Sequence, residues 1–213
     1  MGSLKTAAIG FFFAVVSAGT LACGVSGQPE PTSDSSETQS AEVAIRQTDA
    51  SGRRLPFTTT FPDRWNVNND ETEYEPCTGL QEETLKRNGI VARSVRDAAL
   101  SNFQTLRGCQ WDLVDGQHAV AFQFVGDLSR DVRDLKDYKR ENDYGVWYPD
   151  LVIDGRQVAV NATDNVRCEA LVVSNHALVT TGFDISYVGG PDIEQVCARA
   201  IRLLRESILG IPK

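Results

Sequence analysis

The stretch CEALVVSNHALVTTGFDISY, residues 168–187, holds two apolar runs on either side of Ser174, Asn175 and His176. Both runs contain Val, Thr or aromatic residues, which favour a pleated, half-buried backbone. Apolar runs of this length around a short polar interruption are typical of paired antiparallel strands. We therefore predict a β-hairpin here, with an antiparallel sheet as the centre of the fold.

Two further hairpins are predicted upstream. In LVIDGRQVAV, residues 151–160, Asp154 and Gly155 separate two β-branched runs, and this pair suits a type I′ turn. Cys109–Leu113 and Ala119–Val125 flank the sequence DGQH, and apolar side chains alternate along the second run. Because a period of two is the strand repeat, this part of the chain is also expected to form an antiparallel hairpin.

Helices are predicted between and before these hairpins. Thr78 and Gln81 form a capping box and Gly89 supplies a C-terminal stop, so we predict a helix over Gly79–Asn88. Apolar residues at helical spacing predict a short amphipathic helix over Ser129–Arg140, with its charges facing solvent.

The chain closes with a predicted helix over Pro191–Leu209, in which Pro191 suits the first turn. Its apolar stripe consists of Ile193, Val196, Cys197, Ala200, Ile201, Leu204 and Ile208. A helix with one apolar stripe buries it best on the apolar face of a sheet. The predicted fold class is therefore α+β, an antiparallel sheet built from hairpins with the C-terminal helix packed on it.

Four cysteines fall in this region: Cys77, Cys109, Cys168 and Cys197. An even number of well-spaced cysteines in an exported chain indicates two disulfides, and four cysteines allow three pairings. We prefer Cys77 with Cys109 and Cys168 with Cys197, because each pair then lies within one half of the domain. No two are spaced as C-x-x-C, so neither a thioredoxin-type redox site nor a zinc knuckle is indicated.

The amino terminus has the layout of a secretory signal. Lys5 is followed by an uncharged run through Ala7–Ala22, and residues 20–23, TLAC, read as a lipobox. We predict a signal peptide over residues 1–22 and lipidation of Cys23, which would anchor the protein on the extracytoplasmic face of the cell membrane. The alternatives are an uncleaved anchor, a plain secretory peptide, or N-myristoylation of Gly2.

Composition then divides the rest of the chain and excludes some partners. After Cys23, the residues up to Arg54 are polar and without a period, which predicts a disordered tether, and residues 55–213 form one domain.

The formal net charge is −8. An acidic chain repels phosphate backbones and anionic head groups, so we expect no nucleic-acid partner and no membrane contact apart from the lipid anchor.

Five segments together resemble one known family. They are YEPCTGL at residues 74–80, RGCQW at 107–111, IDGRQVAV at 153–160, VRCEALV at 166–172 and DIEQVCARAIRLL at 192–204. With this order of cysteines the chain resembles the DUF3558 family of actinobacterial lipoproteins. The resemblance implies export, lipid anchoring in a mycolic-acid type of envelope and a disulfide-bonded α/β domain. It implies no catalytic residues, since the family is largely of unknown function.

No motif in the sequence proposes a reaction. The chain has no G-x-S-x-G elbow, H-E-x-x-H helix, P-loop or Rossmann glycine pattern. His118 and His176 lie at or near hairpin turns, where a histidine is usually exposed and inert. The acidic run NVNNDETEYE, residues 66–75, lacks the glycine and final glutamate of a calcium loop, so a solvated acidic segment is predicted. We expect no enzyme activity, no metal and no cofactor.

Three residues are candidates for binding. Arg156 follows a tight turn and can reach a carboxylate or phosphate, although pairing with Asp154 is the alternative. Trp111 and Trp147 can line a pocket or partner surface, although tryptophans in a domain of this size are more often core. The function we expect is an accessory or protein-interaction module that binds an envelope protein. The alternative is a carrier for a lipid or small molecule.

Overall fold

The computed structural model describes residues 44–114, 116, 118–187 and 189–213. The predicted signal peptide, the lipidation site at Cys23 and the first part of the predicted tether lie outside these residues. Within the described ranges, no helix has the length and apolar character needed to cross a bilayer.

The described residues form an antiparallel sheet in the spatial order β1-β2-β3-β8-β7-β6-β4, and β5 also pairs with β6. The strands are β1 Arg96–Asp97, β2 Arg107–Asp112, β3 Ala119–Asp127, β4 Val146–Trp147, β5 Leu151–Ile153, β6 Arg156–Asp164, β7 Arg167–Ser174 and β8 Ala177–Ile185. Two parts meet at the pairing of β3 with β8: the hairpin β2–β3 and the meander β6–β7–β8.

All three predicted hairpins are confirmed. Ile153 pairs with Arg156, so Asp154 and Gly155 form a two-residue turn in which both have positive φ, 50° and 72°. Positive φ at both turn residues is what a type I′ turn requires. The turn between β7 and β8 also consists of two residues, Asn175 and His176, since Ser174 pairs with Ala177. Strands β2 and β3 pair as expected. Strand β2 begins two residues before its predicted start and ends one residue before its predicted end, whereas β3 continues two residues beyond its predicted end.

The predicted helix over Gly79–Asn88 is wrong, because two short helices occupy its place. Helix α1 spans Pro76–Gly79 and helix α2 spans Glu82–Arg87. The Glu75 carboxylate accepts a hydrogen bond from the Cys77 backbone N–H, so the first helix begins earlier than predicted. Leu80 then adopts an extended conformation and is buried in the core, which interrupts the helix. Gly89, with φ +69°, follows the second helix as predicted.

The two later helices are shorter than predicted because each has an aspartate N-cap. Helix α3 spans Leu135–Glu141, and Asp134 accepts from the Asp137 N–H at 2.8 Å. Helix α4 spans Ile193–Ser207, and Asp192 accepts from the Gln195 N–H at 2.8 Å. Pro191 therefore precedes the N-cap instead of lying in the first turn. An Asp side chain that satisfies a free backbone N–H fixes the start of a helix.

Alternate residues of the strands form two faces, which we call inner and outer. Helix α4 packs on the inner face of β6, β7 and β8. The inner core includes Val158, Val160, Ala170, Val172, Val179, Phe183, Val196, Ala200, Leu203 and Leu204. The outer face carries a smaller apolar cluster of Leu128, Val132, Leu135, Ala159, Leu171 and Leu178, which α3 and the turn before it cover.

Both predicted disulfides are confirmed. Cys77 is bonded to Cys109, with their Cα atoms 5.3 Å apart, and Cys168 is bonded to Cys197 at 5.0 Å. The second bond joins β7 to α4 across the inner face. In the chain-entropy account a closed loop of 29 residues stabilises the fold by about 3.6 kcal/mol.

The predicted solvated acidic segment, residues 66–75, is wrong for half of its residues. Asn69, Tyr74 and Glu75 are buried, and Glu75 lies in a buried ion-pair cluster. Its carboxylate is 2.8 Å from Arg64 and 3.1 Å from Arg107. The two guanidinium groups neutralise the Glu75 carboxylate, which allows this end of the segment to be buried.

The tether was predicted to reach Arg54, but contacts with the domain begin before that residue. Thr48 and Arg54 form an isolated β-bridge. Asp49 is buried, and its Oδ2 accepts from the Thr78 hydroxyl at 2.6 Å and from Arg53 Nε at 2.8 Å. The predicted domain start at Leu55 therefore does not coincide with the start of these contacts.

Candidate functional site

The outer face has a cleft between two walls. Strands β3, β7 and β8 form its floor, the loop over residues 98–106 forms one wall, and Tyr138 and Tyr144 lie on the other. Its volume is about 260 Å³. The lining residues are Thr105, Leu106, Phe124, Gly126, Asp127, Leu128, Tyr138, Tyr144, Arg167, Glu169, Leu178 and Thr180.

Strand alternation explains the apolar part of the floor. Phe122 and Phe124 are both on the outer face of β3, and their rings stack with centroids 4.7 Å apart. The Arg167 guanidinium lies over the Phe122 ring at 4.6 Å from its centroid. Gly182, between these groups on β8, leaves room for the ring, since a Cβ there would meet Phe122 at 2.3 Å.

The most unusual group in the cleft is the Glu169 carboxylate. Its side chain is only 7% exposed. Oε1 accepts two hydrogen bonds from Arg167, from Nε at 2.8 Å and from Nη2 at 2.6 Å. Among the described residues, none donates to Oε2, and none accepts from Arg167 Nη1. The pair therefore offers one free acceptor and one free donor.

Two tyrosines lie beside this ion pair. The Tyr138 and Tyr144 hydroxyl oxygens are 3.4 Å apart. Burial raises the pKa of Tyr138 well above its usual value, and the Tyr144 hydroxyl and the Glu169 charge act in the same direction. The Tyr138 hydroxyl thus stays protonated at neutral pH and is a hydrogen-bond donor as well as an acceptor.

Trp147, one of the predicted binding residues, supports this wall from behind. Its ring meets Tyr138 edge-on with centroids 6.2 Å apart, and its Nε1 donates to the Asn142 carbonyl at 3.1 Å. Tyr144 lies 6.5 Å from the same ring. Trp147 therefore holds the two tyrosines in place without lining the cleft itself.

The wall formed by residues 98–106 exposes apolar side chains. Leu100 is 81% exposed, Phe103 62% and Leu106 43%. Phe103 also has φ +55°, a left-handed conformation that costs energy for a non-glycine residue. A second hollow of about 440 Å³ adjoins this loop and shares Thr105, Leu106 and Phe124 with the cleft.

The other predicted binding residues lie away from the cleft. Trp111 is buried in the inner core. The Arg156 guanidinium donates to the carbonyls of Ile211 at 2.6 Å and Pro212 at 2.9 Å, and also to those of Ile208 and Val173. Burial lowers the pKa of Arg156. Its described hydrogen bonds go to the backbone and not to Asp154, the alternative partner.

The described ranges hold no group of three or more His, Cys, Asp or Glu side chains able to bind a metal ion. His118 and His176 are both exposed. Sequence reasoning missed Glu169 and Arg167, although both stand in the segment VRCEALV. The available signal was a pair of opposite charges two residues apart in an otherwise apolar strand, which places both on one face.

A family model described as a protein of unknown function (DUF3558) matches residues 18–208. This chain belongs to the DUF3558 family. Neither the search of curated proteins nor the search of solved structures gives a match. The DUF3558 match includes both disulfides and every residue that lines the cleft, so the site lies within the family domain. Its description names no activity, ligand or partner.

Proposed function

We propose that this DUF3558 protein is a lipid-anchored envelope protein whose domain is a non-catalytic module that binds another envelope protein. The observation that carries the proposal is the apolar loop over residues 98–106. Leu100, Phe103 and Leu106 are exposed within seven residues on one side of the outer face. Clustered apolar exposure of this kind marks interaction surfaces more often than chance.

The conformation of Phe103 adds to this argument. A phenylalanine that is both exposed and left-handed costs the folded state free energy without burying its ring. Burial of the ring in a partner would recover roughly 1.5–3 kcal/mol. Aromatic side chains are also enriched among the residues that dominate binding energy at interfaces.

A lipid carrier is the weaker alternative. Pockets for apolar ligands bury most of the ligand and are lined mainly by apolar side chains. The cleft instead contains an Arg–Glu pair, two tyrosines and two threonines. An acyl chain placed there would leave Glu169 Oε2 without a hydrogen-bond donor, which is unfavourable for a buried carboxylate.

The anchor is tested at Cys23. If the TLAC sequence is a lipobox, Cys23→Ser transfers the full-length protein from the detergent phase to the aqueous phase in a phase-partition assay. Cys109→Ser is not a suitable control because it breaks a disulfide, so Ser26→Ala, three residues after the lipobox, serves instead. Detergent partitioning of Cys23→Ser would contradict lipid anchoring.

The interaction face is tested by site-specific photocrosslinking in the native envelope. A photoreactive phenylalanine analogue replaces Phe103 in one strain and Leu209, which is 86% exposed in the turn after α4, in another. We expect a discrete adduct from position 103, identified by mass spectrometry and reproduced from position 100, and none of the same mass from position 209. Identical adducts from both surfaces, or none from position 103, would contradict the proposal.

A further inference from the structure

We propose that the outer-face cleft is a binding site for a neutral saccharide, with the Arg167–Glu169 pair and the Tyr138 and Tyr144 hydroxyls as its recognition groups. This site goes beyond the interaction surface proposed above and does not depend on it. The observation that starts the argument is the free Oε2 of Glu169, a carboxylate oxygen on a side chain that is 7% exposed in a cleft.

The Glu169 side chain is mostly buried, but Oε2 is still reached by solvent in the cleft, so a ligand that displaces this solvent must supply a donor to Oε2 in its place. Arg167 Nη1 beside it has a hydrogen to donate and no described acceptor. A group that both donates and accepts therefore satisfies the pair. Adjacent sugar hydroxyls do this, because each hydroxyl is a donor and an acceptor.

Charge disfavours ionic ligands. A phosphate or carboxylate would approach Glu169 Oε2, in a chain whose net charge is −8. A cation would be repelled by the Arg167 guanidinium. This group is 2.6 Å from the Glu169 carboxylate and already neutralises the carboxylate charge. A neutral ligand avoids both repulsions, and it uses the two free groups through hydrogen bonds to charged partners, which are stronger than those between neutral groups.

The remaining lining fits a polyhydroxyl ligand of small size. Tyr138, Tyr144, Thr105 and Thr180 place four hydroxyls around the cleft, while Phe124 supplies an apolar surface. A sugar ring has the same combination of hydroxyl edges and C–H faces. The volume of about 260 Å³ is below the range of roughly 300–1,000 Å³ that drug-sized ligands occupy, and suits one or two rings.

An extended peptide is a poorer fit than a saccharide. Peptides that dock on sheets usually add a strand to a free edge, where backbone groups are unpaired. The floor strands β3, β8 and β7 are each paired on both sides within the sheet. Recognition in the cleft therefore depends on side chains, and hydroxyl and charged groups dominate among the polar ones.

The test uses a glycan array of neutral, amino and acidic saccharides, probed with the full-length, disulfide-bonded protein in detergent. The best binder is then titrated while the Trp147 indole signal is followed by NMR, since this ring contacts both tyrosines. We expect a neutral saccharide to bind. Glu169→Gln and Tyr144→Phe should each weaken it by about tenfold, the effect of one lost hydrogen bond of about 1.4 kcal/mol.

Tyr187→Phe is the matched control, because it also removes one tyrosine hydroxyl but lies outside the cleft lining. Tyr144 is 41% exposed, so its substitution tests the hydroxyl without a risk to folding. The proposal is overturned if no saccharide binds, if only acidic ones bind, if either cleft variant binds like the parent, or if Tyr187→Phe weakens binding equally. None of these outcomes changes the crosslink expected from position 103, so the two proposals fail separately.

Discussion

The two faces of the sheet come from the same strands but carry different kinds of side chain. On β7, Cys168, Ala170 and Val172 turn inward to α4 and are almost fully buried. Arg167 and Glu169, the residues on either side of Cys168 in sequence, turn outward to the cleft. The inner face thus stabilises the fold. The outer face, in contrast, carries polar groups with atoms that have no hydrogen-bond partner among the described residues. Substitutions on the two faces should therefore affect different properties.

The largest loss of stability is expected at the buried ion-pair cluster of Arg64, Glu75 and Arg107. Glu75→Gln removes the negative charge that pairs with Arg64 and Arg107. Because both guanidinium groups are buried, the free energy of unfolding should fall by about 3–5 kcal/mol, measured by urea denaturation. Glu73→Gln, at an exposed position of the same segment, is the control and should change it by no more than about 0.5 kcal/mol. Equal effects would show that the cluster does not stabilise the fold.

Next in size is the disulfide across the inner face. The double substitution Cys168→Ala and Cys197→Ala opens a loop of 29 residues and should cost about 3.6 kcal/mol in the same assay. The corresponding change at Cys77 and Cys109 opens a loop of 32 residues and should cost nearly the same. A difference of more than about 2 kcal/mol between the two would mean that packing around the bonds outweighs loop closure.

Two neighbouring threonines give the most direct test of the two faces. Thr181 is buried on the inner face, and its hydroxyl accepts from Gln123 Nε2 at 2.8 Å. Thr181→Val leaves that buried amide short of an acceptor, so the unfolding free energy should fall by about 1–3 kcal/mol. Thr180→Val, one residue away in the cleft, should change it by less than about 0.5 kcal/mol. A reversed order would contradict the assignment of faces.

The smallest effect is a pH dependence on the outer side, at α3. Arg133 and then Arg140 hold the pKa of the Asp137 carboxyl well below its usual range. The ionised form therefore favours the folded state above the ordinary carboxyl pKa of about 3.9, and this contribution is lost as the pH falls below it. Asp137→Asn should flatten the decline in thermal midpoint between pH 5 and 2. Asp131→Asn, exposed on the same segment, should leave the decline unchanged.

Local signals in the sequence predicted the hairpins and both disulfides. The Asp154-Gly155 pair specifies its own turn, and a strand that alternates specifies which residues share a face. The pairing of β3 with β8 was not predicted, because its partners are far apart in sequence and no local pattern selects them.

The buried charges were beyond a reading of the sequence for a similar reason. In the sequence, Glu75 stands in an acidic run and is expected to be exposed to solvent. Only the fold places Arg64 and Arg107 next to it. The break between α1 and α2 depends on Leu80 being drawn into the core, which propensity does not encode. Glu169 was visible as a charge within an apolar strand, but its free oxygen depends on how Arg167 is placed.

Neither disulfide crosses the junction of β3 and β8. Cys77 and Cys109 both precede the end of β3, whereas Cys168 and Cys197 both follow it. A chain delivered from its amino end would therefore present the four domain cysteines in the order in which they pair, Cys77 with Cys109 and then Cys168 with Cys197. If the protein is exported as proposed, an oxidase that joins cysteines as they arrive would form both native bonds without rearrangement by a disulfide isomerase.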